Sequence, residues 1–162
     1  MKLHLNIPDS LYDITLEQYQ KYDKINTEEN KDSIFLMQKM IEIFCFVELD
    51  LTRSIKYNDL IEIIDHLNNL ISSKPELITT FKIDDIQYGF IPDLDNITLG
   101  EYIDLDNYLG SWENMHKAMS VLYRPVILKK DERYVIEDYK GSIYDEKMKK
   151  APLSVVISSQ IF

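Results

Sequence analysis

Three carboxylates crowd the stretch GEYIDLDNY, and they are the residues of this chain best spaced for acid–base chemistry. On a helix, Glu101 and Asp104 share a face at i, i+3, with Asp106 pointing elsewhere. General acid–base catalysis needs one carboxyl desolvated and its partner kept ionised. The local sequence predicts neither, so the spacing reads as a solvated acidic face near a helix N-terminus, where the dipole favours negative charge. Asp93, Asp95, Asp104 and Asp106 could in principle surround a hard cation, but the glycine and terminal glutamate of a calcium loop are missing. His4, His66 and His116 stand apart, with no His-Glu-x-x-His or Cys-x-x-Cys pattern. Cys45 sits in the apolar run IFCFV without a basic partner nearby in sequence, and there is no Gly-x-Ser-x-Gly elbow. Four glycines in 162 residues leave no material for a phosphate-cradling loop. No catalytic residue, metal, cofactor or small-molecule substrate is expected, and the chain does not read as an enzyme.

Charge narrows the partners. The formal net charge is −10 and unevenly placed: Thr79 to Glu113 holds eight acidic residues against Lys82, whereas Arg124 to Lys150 holds eight basic residues against six acidic. An acidic body argues against direct nucleic-acid binding, which rests on phosphate neutralisation. It suits a basic protein partner. The single cysteine excludes an internal disulfide, MKLHLNIPDS has no apolar signal core, and no apolar stretch is long enough to span a membrane. A cytoplasmic location is expected. The chain stops on the apolar Ile161-Phe162, which implies either docking into a neighbour or a longer natural product.

The elements that would position these groups announce themselves by a repeat. Residues 7–19 read IPDSLYDITLEQY and residues 91–102 read IPDLDNITLGEY. Thr15 with Gln18, and Thr98 with Glu101, have the spacing of a capping box, in which the Thr hydroxyl and the Gln or Glu side chain satisfy two helix-end N–H groups reciprocally. Ile14 with Tyr19, and Ile97 with Tyr102, are spaced as hydrophobic staples. Helices are expected from Leu16 to Tyr22 or Ile25, from Asp32 to Glu48 and from Asp59 to Ser72. The second is apolar on most of its circumference and reads as central. The period then falls to two: Phe81, Ile83, Ile86, Tyr88 and Phe90 flank an acidic turn at Asp84-Asp85 and predict a hairpin. Helices follow at Leu99–Leu109, closed by Gly110, and at Trp112–Tyr123, stopped by Arg124-Pro125. A second hairpin is expected from 126–128 and 134–136 with 129–133 at its tip, and a last helix with Leu153, Val156, Ile157, Gln160 and Ile161 on one face, a strand being the alternative. The class is α+β: one domain over 1–162, with a helical lobe at 1–78 and a hairpin-and-helix lobe at 79–162. Whether the hairpins share a sheet is open at this level, and an internal duplication is not expected, because the sequences around the two repeats differ.

The segment FKIDDIQYGFIPDLDNITLGEYIDLDNYLGSWENMHKAMSVLYRPV, with YVIEDYKG after it, resembles small proteins of crAss-like and other large tailed phages. The likeness rests on Gly89 to Pro92, Gly100 to Asp106, His116-Lys117 and Leu122 to Pro125, and covers about half the chain. It implies a non-catalytic virion or morphogenesis protein, a neck or ring component or one associated with the particle, found in host cytoplasm during assembly and in the virion. Its partners would be other phage structural or assembly proteins, or further copies of itself in a ring. A tail-assembly chaperone is the nearest rival, and an acidic inhibitor or immunity-type binding protein a third reading. The expected interaction surface is the acidic strip Asp93, Asp95, Asp104 and Asp106 meeting the basic hairpin tip Lys129, Lys130 and Arg133 of a neighbouring subunit.

Overall fold

Asp84 and Asp85 both take left-handed backbone conformations, φ 48° and 67°, closing the two-residue turn between β1 (Thr80–Ile83) and β2 (Ile86–Phe90). Turns of this hand match the twist of paired strands, and Asp tolerates the conformation better than most residues. The computed structural model describes residues 4–160. Asp84 accepts from Lys147 at 3.4 Å and Lys150 at 3.3 Å, which fastens the turn to a later helix and lowers its carboxyl pKa, chiefly through the Lys150 bond.

The two hairpins share one antiparallel sheet, ordered β1-β2-β3-β4, with β3 at Tyr123–Lys130 and β4 at Arg133–Ile136. Tyr88 pairs with Pro125, Gly89 with Arg124 and Phe90 with Tyr123. Successive side chains alternate between faces. One face carries Phe81, Ile83, Tyr88, Phe90 and Tyr123, all buried, with the Phe81 ring 5.7 Å from Tyr88 and 5.1 Å from Tyr123. The other carries Gly89, Arg124 and Tyr134. A Cβ on Gly89 would stand 2.6 Å from Tyr134 Cε2, so glycine is what lets the Tyr134 ring lie across the strand and donate to Phe90 O at 2.7 Å. A bulge between Val126 and Leu128 shifts the register of the second hairpin. That hairpin is longer than expected: Lys129, Lys130 and Arg133 belong to strands, and only Asp131-Glu132 turn.

The helices are α1 (Leu16–Ile25), α2 (Ile34–Cys45), α3 (Tyr57–Ile71), α4 (Leu99–Tyr108), α5 (Met115–Leu122), α6 (Asp145–Met148) and α7 (Leu153–Ser158). α2 is shorter than the expected 32–48 for a backbone reason. Asp32 and Phe46 are both left-handed, φ 59° and 55°, and neither conformation continues a right-handed helix. Nor is α2 enclosed on every side, since Ile34 and Phe35 are exposed. The enclosed helix is α7, whose Leu153, Ser154, Val155, Val156 and Ser158 are all buried. The final segment is thus a helix, with Val155 and both serines joining the buried set; Ile161 and Phe162 lie outside the described residues. Gly110 has an ordinary negative φ and makes no left-handed cap after α4. Residues 112–114 form a 3-10 turn before α5.

Buried side chains from Leu11 to Val156 form one core, so the chain is a single α+β domain. Among the described residues the four strands all lie beyond residue 78. Among the described residues no helix is long and apolar enough to cross a membrane.

Candidate interaction surface

Both capping boxes form. Gln18 N donates to Thr15 Oγ1 at 3.2 Å and Thr15 N to Gln18 Oε1 at 2.8 Å; Glu101 N donates to Thr98 Oγ1 at 3.2 Å and Thr98 N to Glu101 Oε1 at 3.5 Å. Each is preceded by a 3-10 turn, Leu11–Asp13 in the first and Leu94–Asn96 in the second. The first unit is then swallowed by the fold. Leu16 N and Glu17 N, the first two donors of α1, bond Ala151 O at 2.9 Å and Lys149 O at 3.0 Å, and Leu153 N returns a bond to Ile14 O at 2.7 Å. The second unit stays at the surface.

Within the second unit the acidic strip divides. Asp93 accepts from Asp95 N at 3.1 Å and from the Asn96 side chain, so it shapes its own turn. Asp104 is half-buried and accepts from the Tyr139 hydroxyl, whose pKa is pushed up to about 12 by burial and then by that bond. Asp95 and Asp106 are exposed. Glu101 is buried: its second oxygen lies 3.5 Å from Arg124 Nη1, and Arg124 also donates to Val121 O and Glu137 O, each at 2.7 Å, beneath the Tyr139 ring. The carboxylates with catalytic spacing, Glu101 and Asp104, are therefore both bound to neighbouring side chains. The sequence offers Glu101 as a cap and as a carboxylate sharing a helix face with Asp104, and Arg124 as a helix stop, but does not join the two. No local signal joins residues 23 positions apart.

Two outward apolar patches were also missed. α4 turns Glu101 and Leu105 inward, and its outer side carries Leu99, Tyr102 and Ile103, exposed by 73%, 59% and 47%, with Asp106 one turn further on. That is an i, i+3, i+4, i+7 stripe facing solvent. The expected staple partner of Ile97 thus points away, whereas Tyr19 in α1 lies 4.4 Å from the Trp112 ring. The second patch is at the far end of the sheet. Ile127, Leu128 and Val135 are exposed by 61%, 64% and 50%, and Leu128 is paired with Val135. Lys130 pairs with Arg133 two residues along each strand, hence on the same face, while Lys129 and Tyr134 take the opposite one. The three basic residues therefore do not present one tip. Among the described residues no ion pair links them to the acidic strip.

A groove of about 540 Å³ between α1 and α2 is lined by Ile25, Ile43, Phe46, Lys21, Lys24 and Lys39. Two of its lysines are answered locally, Lys21 by Glu17 at 3.7 Å and Lys39 by Glu42. Buried Cys45 has its thiol pKa raised to about 11 by burial, which keeps it protonated at neutral pH. No group of three or more His, Cys, Asp or Glu side chains among the described residues is placed to hold a metal ion. No family model, no curated protein and no solved structure matches the chain.

Proposed function

We propose that this is a non-catalytic virion or morphogenesis protein of a tailed phage, working through contacts with other particle proteins. The observation that carries the reading is the outward stripe Leu99, Tyr102 and Ile103 on α4. A helix whose inner face already holds Leu105 and the Glu101–Arg124 pair has no folding reason to spend three large apolar residues on water. Contiguous exposed apolar groups with a charged rim mark protein contact sites. The phage setting comes from the resemblance of residues 81–126. The residues that carry it meet in the fold: Gly89 backs onto Arg124, Arg124 binds Glu101, and Glu101 anchors the helix that bears the stripe.

Quantitative mass spectrometry of purified particles from a phage encoding this chain tests the proposal. A fixed copy number per particle is expected. Absence from particles alongside abundance in infected cells overturns the virion reading and favours an assembly chaperone. A one-to-one, salt-sensitive complex with a single basic enzyme overturns both in favour of an inhibitor.

A further inference from the structure

We infer that the protein joins copies of itself head to tail, the free end of the β3–β4 hairpin of one seating on the outer side of α4 of the next. The inference deepens the reading of the protein as a contact-making particle component, and rests on it. Each patch has the anatomy of half an interface, an apolar centre with a charged edge. On the hairpin, Leu128 and Val135 are followed on the same face by Lys130 and Arg133, and Ile127, exposed, stands at the bulge beside them. On the helix, Leu99, Tyr102 and Ile103 lie between Asp95 in the preceding turn and Asp106 at the next helical step. Each apolar centre is made of three large side chains, and the same-face edge charges are opposite in sign, Lys130 and Arg133 against Asp95 and Asp106, with the acidic Asp131-Glu132 turn lying beyond the basic pair. In a chain of net charge −10 the basic edge is the scarcer feature, and its complement lies on the same molecule.

The placement of the patches decides the symmetry. Arg124 projects from the sheet face opposite Tyr88, Phe90 and Tyr123, and it is the residue that binds Glu101 of α4. The hairpin patch continues the other face: the Tyr134 ring lies against Gly89 on the Arg124 side, so its neighbour Val135, and Leu128 paired with Val135, point the other way. α4 and the hairpin patch are thus on opposite sides of the sheet and cannot meet within one chain. A contact between two different patches is heterologous, so it propagates until it closes a ring or continues as a filament. The contact uses Asp95 and Asp106, because Asp93 and Asp104 are committed to internal hydrogen bonds. It uses Lys130 and Arg133, because Lys129 is on the other face.

The experiment is analytical ultracentrifugation of the full chain across a concentration series, with Leu128→Glu and Tyr102→Glu as single-face variants. Both positions are exposed, so unchanged melting temperatures certify the fold. The wild type is expected to form species larger than a dimer, weakened by salt, and each variant to lose them. An equimolar mixture of the variants is expected to give a one-to-one dimer and nothing larger, since one intact hairpin meets one intact helix. A monomeric wild type, a wild-type two-fold dimer, variants that still assemble, or a mixture that stays monomeric would each overturn the inference. The two proposals fail separately: a monomer with fixed copy number in particles sinks only this one, and a self-assembling chain absent from particles sinks only the other.

Discussion

The two Ile-Pro-Asp units share a local grammar and have opposite fates. Both run from a 3-10 turn through a Thr cap into a ten-residue helix. In the first, Ile14 and Leu16 are wholly buried and residues 149–153 are bonded across the helix start. In the second, Ile97 is half-buried and Leu99 is exposed. One matching position marks the difference. Gln18 closes its box with Oε1 and donates from Nε2 to Ile43 O at 2.9 Å, near the C-terminus of α2. Glu101 closes its box with Oε1 and offers Oε2 to Arg124. An amide suits a carbonyl and a carboxylate suits a guanidinium, so each box reaches into the tertiary structure through the group its partner requires. Equal caps serve unequal purposes: one closes the core and one holds a surface helix in place.

The largest break in this comparison is steric. Ile14→Ala is expected to cost about 3–4 kcal/mol, as a fully enclosed truncation does, and Ile97→Ala under about 1 kcal/mol, read from urea midpoints. Equal losses would refute the asymmetry. Next comes the charge tie. Glu101→Gln keeps the box and sets a donor against Arg124, costing about 3 kcal/mol, whereas Glu101→Leu with Arg124→Met recovers most of it by removing both charges. The mirror change, Gln18→Glu, puts a buried carboxylate against the Ile43 carbonyl and should cost about 2 kcal/mol. Thr15→Ala and Thr98→Ala should each cost about 1 kcal/mol, because the cap is the part the units share.

The smallest effect is read through pH. In α1, Gln20 Nε2 donates to His116 Nδ1 at 3.1 Å and to Trp112 O at 2.9 Å, and burial, followed by the Lys149 charge, lowers the His116 pKa below 6.5. The folded state holds the imidazole neutral, so its contribution is complete above pH 6.5 and declines as pH falls below that. In the second unit, Tyr139 titrates near 12 instead of 10, so its contribution is complete below pH 10 and declines as pH rises from 10 towards 12. Acid should therefore act at the His116 contact of the first unit, and alkali at Tyr139 and at the other tyrosines whose pKa burial raises, Tyr19 and Tyr22 of α1 among them. Tyr139→Phe should lessen the alkaline loss of stability, part of which belongs to Tyr144, also raised to about 12, and leave the acid limb unchanged.

Much of the fold was legible in the sequence. The caps, the Asp84-Asp85 turn and the helix stop before Pro125 came directly from the residue types, because each is decided by neighbours within a few positions. The ends of α2 were misplaced because Asp32 and Phe46 adopt left-handed conformations that side-chain hydrophobicity does not report. The candidate surface was only half legible. Its charges could be counted, but which of Asp93, Asp95, Asp104 and Asp106 remain free depends on Asn96, Tyr139 and the turn they fold into.

By itself, then, the sequence determined most element types up to Ile136, both capping boxes, the hairpins and the acidic balance, all set by local sterics, hydrogen bonding and composition, and left the last segment open between helix and strand. Tertiary structure alone decided that the hairpins share a sheet, that Ile14 is buried while Leu99 is not, and that Glu101 meets Arg124. Burial and ion pairing belong to whichever surfaces the chain brings together, and a repeated local sentence carries no information about what will be packed against it.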